Sequence, residues 1–99
     1  MPNFLVGTIN ASSPANVLVG TSSGTIIAEN LNRQGLILVN ISASTIYLGL
    51  GATAALNAGI VLTPNGGSFS MDEYTYSNGT INGIANSTNN IVAIQEYIR

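Results

Sequence analysis

The stretch "GLGATA", Gly49 to Ala54, fits G-x-G-x-x-A, follows an apolar segment and has Asp72 about twenty residues downstream, as a dinucleotide-binding fingerprint would. That chemistry needs a helix of several turns whose N-terminal amides face the pyrophosphate. "ATAALNA" has room for about two turns at most before Gly59, so the stretch reads as a Gly-rich loop between strands. The acids are Glu29, Asp72, Glu73 and Glu96. Two carboxylates can serve as acid and base in hydrolysis, but neighbours such as Asp72 and Glu73 project in different directions along any strand. They read as solvated charges or as partners for one of the two arginines, Arg33 and Arg99. With neither histidine nor cysteine in the chain, imidazole bases, thiolate nucleophiles, disulfides and the usual zinc or copper ligands are all missing. No catalytic, cofactor or metal site is expected.

The tyrosines offer binding chemistry instead. Tyr47, Tyr74, Tyr76 and Tyr97 can form a sugar-stacking surface, or can serve as oligomer contacts where they face outward from strands. Tyr47 and Tyr97 are the interface candidates among them. Four N-x-S/T sequons, at Asn10, Asn40, Asn78 and Asn86, carry no weight in a chain this rich in Asn, Ser and Thr and with no secretory signal in view.

Charge is the scarcest property of the chain. Of 99 residues only 6% are charged, lysine is absent and the net charge is -2, against roughly a quarter charged in an ordinary domain. Two cations cannot supply the row of phosphate contacts that nucleic-acid binding requires. The run from Gln34 to Met71 contains no charge at all and is long enough to cross a bilayer. A small membrane protein is therefore a minor alternative, opposed by Asn40, Asn57, several Gly and Ser, and a "NISAS" turn between two β-branched segments.

The elements that would position these residues are strands. Short segments of Val, Ile, Leu and Tyr recur about every ten residues between Gly, Asn, Ser and Pro, the pattern of an all-β sandwich or barrel. The expected strands are 15–20, 25–30, 35–41, 45–50, 59–63, 68–71, 80–85 and 90–98. About eight short antiparallel strands give a single small β-sandwich, jelly-roll-like, over residues 15–99, preceded by an N-terminal arm, Met1 to Pro14. "PNGG" (64–67) and "SNG" (77–79) read as hairpin turns because they supply residues that tolerate positive φ. Alternation turns Ile46, Leu48, Leu50, Phe69 and Met71 inward and Tyr47 and Gly49 outward. "LILV" and "IVAI" are apolar at consecutive positions, so both of their faces should be covered, by a second sheet or a second subunit. A long apolar strand with no lysine guarding its edge points to a homo-oligomer, for which a trimer is the expectation.

From Asn32 onward "NRQGLILVN", "TIYLGLG", "GIVLTPNGGSFSMDEY" and the C-terminal "AIQEY" follow one another with short loops between. In that order they resemble small virion proteins of tailed bacteriophages: auxiliary or decoration proteins and head-fibre modules of the capsid exterior. The shared pattern is N-R-x-G-L, x-V-Y-x-G, G-x-x-L-x-P-G-x-S and a closing E-Y; this chain departs from it at Asn65, before the glycine pair, and in "SNGTINGIANSTNN". The resemblance implies a non-enzymatic structural protein, synthesised in a host cytoplasm and carried on the virion. Its implied partners are the major capsid protein and further copies of itself, with no nucleic acid and no membrane. A fibre or tail-associated module that binds host surface glycans is the alternative.

Two expectations concern particular residues. Met1, Phe4 and Leu5, in the arm, are candidates for contact with a neighbour. Arg33, at the mouth of the most apolar strand, is expected to be a structural anchor whose guanidinium forks onto backbone carbonyls or onto a carboxylate such as Glu96.

Overall fold

The computed structural model describes residues 9–71 and 77–99. Within them the chain forms nine strands and no helix: β1 (Asn10–Ala11), β2 (Ala15–Val19), β3 (Gly24–Ile27), β4 (Arg33–Asn40), β5 (Ile46–Leu50), β6 (Ile60–Leu62), β7 (Ser68–Ser70), β8 (Ile81–Ala85) and β9 (Asn90–Ile98). β2 pairs with β9, β3 with β8, β4 with β7 and β5 with β6, all antiparallel, so the pairs nest as they would in one long folded-over hairpin. Rolling that hairpin adds the β4–β9 and β5–β8 ladders. The result is a five-stranded sheet, β2-β9-β4-β7 with β1 also paired to β9, and a four-stranded one, β3-β8-β5-β6, the strand order of a jelly roll.

The core follows from period-2 alternation. Leu36, Leu38 and Val92 from the first sheet meet Ile46, Leu48, Leu62 and Ile81 from the second, all buried, with Phe69, Val19 and Ile26 closing the margins. Each fully buried Leu or Ile contributes roughly 1.5–3 kcal/mol through removal of apolar surface from water. Leu50 and Met71, expected inward, are half-buried and pack against this cluster.

Three sequence expectations change, and a fourth is met by one chain only in part. In β4, Leu36 and Leu38 are buried while Ile37 between them is 37% exposed, so one chain covers one face of "LILV" and leaves the other open to a second subunit. In β9, Ile91 and Ala93 are likewise only half-buried. "PNGG" does turn the chain, with Asn65 and Gly66 at positive φ, but it joins β6 of one sheet to β7 of the other and is an arch between sheets, not a hairpin. "SNG" lies in the connection from β7 to β8, which also changes sheet. Residues 10–11, within the segment read as a free arm, are β1, hydrogen-bonded to the C-terminal end of β9. The other half of that segment, including Met1, Phe4 and Leu5, lies outside the described residues, as do Asp72, Glu73, Tyr74 and Tyr76.

The charge-free run 34–71 builds β4 to β7, and among the described residues no helix is long and apolar enough to cross a membrane. "GLGATA" ends β5 and continues as irregular loop, so the helix N-terminus that a pyrophosphate would need does not form there.

Candidate functional site

Arg33 opens β4 and is completely buried. Its Nε donates to Oε2 of Glu96 on β9 at 2.8 Å. Nη1 donates to the carbonyls of Ser77 (3.1 Å) and Gly79 (2.8 Å), and Nη2 to that of Ala28 (2.7 Å). Ala28 follows β3 and Ser77 and Gly79 precede β8, so one guanidinium ties the first sheet to the two strands of the second that end beside it. A planar fork of five donors suits this task, which a lysine ammonium with three donors on a flexible stem does not.

At the other end of β4, Asn40 makes the matching tie. Its buried amide nitrogen donates to the carbonyls of Ser44 (2.7 Å) and Leu62 (3.0 Å), while Oδ1 accepts from the Ser42 amide at 2.9 Å. Leu62 ends β6, so this amide also links one sheet to the other. Asn90, at the start of β9, is buried and donates to the Ser87 carbonyl at 2.7 Å. Sequence reasoning passed over both asparagines; the available signal was an amide at the edge of an apolar run, with a serine two positions beyond Asn40 to close an Asx turn. The sequon at Asn40 is therefore buried and occupied by structural bonds.

The two interface tyrosines are not brought together. Tyr97 lies on the outer face of the first sheet, where its ring covers Gly35; a Cβ built on Gly35 would sit 3.6 Å from the tyrosine Cβ and Cδ2. Tyr47 lies on the outer face of the second sheet, between buried Ile46 and Leu48, and its hydroxyl donates to Asn57 Oδ1 at 3.2 Å. A single sugar platform built from both is excluded by this placement.

No group of three or more metal-binding side chains occurs among the described residues. Among the described residues the first sheet's outer face carries Leu18, Ile37, Val39, Ile41, Ile91 and Ala93, with Gln95 opposite Ile37, and its strands place no ionisable group there other than the Tyr97 phenol at one end. Such a surface can associate with another uncharged surface. Comparison with family models, with curated proteins and with solved structures gave no match to this chain.

Proposed function

We infer that this chain is a non-enzymatic auxiliary protein of a tailed-phage virion, bound to the outer surface of the assembled head, where it decorates or reinforces the shell of major capsid protein. The observation that carries the reading is how the resembling motifs sit in the fold. The opening motif holds Arg33 and Gly35, and the closing one holds Glu96 and Tyr97. Arg33 bonds Glu96, and Tyr97 packs on Gly35, across the same β4–β9 ladder. In the middle motifs Gly59 and Gly66 adopt positive φ and Leu62 is buried. These residues of the shared pattern serve the scaffold, which suits a protein that acts through many identical copies and adhesive surfaces. Jelly rolls also recur among capsid and lectin domains.

The test is co-sedimentation of the purified chain with heads assembled without it, at low and moderate salt, alongside binding to host polysaccharide. Saturable association with heads supports the decoration reading. Binding to polysaccharide without binding to heads replaces it with a glycan-binding fibre or tail module, for which exposed Asn57 beside Tyr47 is the place to look.

A further inference from the structure

We propose that the outer face of the first sheet is a self-association surface, on which a second copy of this chain packs face to face to form a two-fold dimer. Three observations carry it. The strands with consecutive apolar residues, β4 and β9, lie side by side at the centre of this sheet, and their outward residues Ile37, Val39, Ile91 and Ala93 form one patch with Leu18 (68% exposed) and Ile41 (54% exposed). One chain covers only the inward half of these runs.

The second observation is charge. A face bearing like charges repels a copy of itself, whereas among the described residues the centre of this one has no ionisable side chain, and hydroxyl and amide groups border the apolar residues at Ser68 and Ser70 on β7, at Asn16 on β2 and at Gln95 toward the far end of β9. An apolar centre with a polar margin is the usual anatomy of a specific contact. The opposite outer face is not equivalent. There the 51–59 loop engages the sheet, with Asn82 Nδ2 donating to the Ala52 carbonyl at 2.7 Å and Tyr47 bonded to Asn57.

The third is area. The strands β2, β9, β4 and β7 have 5, 9, 8 and 3 residues, and at roughly 3.3 Å per residue and about 4.8 Å between strands they give a footprint of about 400 Å² per copy. Two copies reach about 800 Å² as flat footprint, and the relief of side chains standing out from the sheet raises the pair toward the roughly 1,000 Å² that a specific interface needs. A face that meets itself closes at two copies, so the geometry favours a dimer over the trimer expected from sequence. The inference stands apart from the virion reading, since a dimer in solution neither requires nor excludes attachment to heads.

The experiment is sedimentation or light-scattering mass of the full chain across the micromolar range, for the wild type and for Leu18→Glu, Ile37→Glu and Val61→Glu. The expected result is twice the 10.2 kDa chain mass for the wild type, persisting in molar salt because no ion pair holds the contact. Leu18→Glu and Ile37→Glu should halve that mass with an unchanged far-ultraviolet spectrum, and Val61→Glu, on the other sheet, should leave it intact. Should Ile37→Glu fail to fold, Leu18→Glu, at a more exposed edge position, decides. A wild type that is monomeric or trimeric, a Leu18→Glu variant that stays dimeric, or a dimer broken by Val61→Glu would each overturn the proposal.

Discussion

The Nε of Arg33 and Oε2 of Glu96 are 2.8 Å apart although 63 positions separate them in the chain, and around this pair the same guanidinium holds three carbonyls from the second sheet's flanks. The one buried cation is thus a clamp across the sandwich, surrounded by acceptors. Removing one partner of such a buried pair is costly because the other is left without compensation.

Arg33→Ala should therefore destabilise the fold by about 3–5 kcal/mol, from the stranded Glu96 carboxylate together with the orphaned carbonyls. For a domain of this size that lowers Tm by more than about 12 °C. Arg33→Lys restores the charge without the fork and should recover only part of the loss. Thermal denaturation followed by circular dichroism checks both; an Arg33→Ala variant as stable as the wild type would remove the clamp from the account.

Asn40 is tested by an isosteric change. Asn40→Asp keeps the shape but turns the two donors into an acceptor facing the Ser44 and Leu62 carbonyls. It should cost more than Asn40→Ala, for which about 2–3 kcal/mol is expected from the groups left unsatisfied. Urea denaturation with equal m-values resolves the order, and the reverse order would show that a carboxyl group is accommodated there, by protonation or by water, so that the two donor bonds are not what Asn40 supplies.

Gly59 and Gly20 make a controlled pair. Gly59 has φ +75, and a Cβ there would run into the Leu48 carbonyl of the neighbouring strand, whereas a Cβ on Gly20 meets nothing within 4 Å. Gly59→Ala should cost about 2 kcal/mol or more, combining left-handed strain with displaced backbone, and Gly20→Ala should stay within about 0.5 kcal/mol of the wild type. Denaturation midpoints measured side by side check the contrast.

The strands were legible because β-branched runs between Gly, Asn, Ser and Pro report a local preference, and all eight expected segments contain β2 to β9 within a few residues at their ends. The pairing of Arg33 with Glu96 was approachable for a different reason: so few charges leave few partners. What sequence could not show was sheet membership. Asn65 and Gly66 need positive φ whether the next strand returns to the same sheet or crosses to the other, so "PNGG" reads alike in a hairpin and in an arch. Nor could it identify Ala28, Ser77 and Gly79 as acceptors for Arg33, since every residue has a carbonyl and burial alone selects these three.

The N-terminal segment separates scaffold from attachment. Removal of residues 1–8 leaves β1 in place, whereas removal through Pro14 also strips the bonds from Ser12 N–H to the Glu96 carbonyl (2.8 Å) and from Gln95 Nε2 to the Ser12 carbonyl (2.6 Å). Those bonds lie along the edge of β9 beside the Arg33–Glu96 pair, so the longer deletion should lower stability by about 1–3 kcal/mol more than the shorter one. The virion reading expects Phe4 and Leu5 to contact a neighbouring protein, so deleting residues 1–8 should weaken binding to heads by more than any shift in the melting curve accounts for. Paired melting and co-sedimentation measurements on the two deletions separate the roles. Full head binding by a chain lacking residues 1–8 would assign attachment to the sandwich itself.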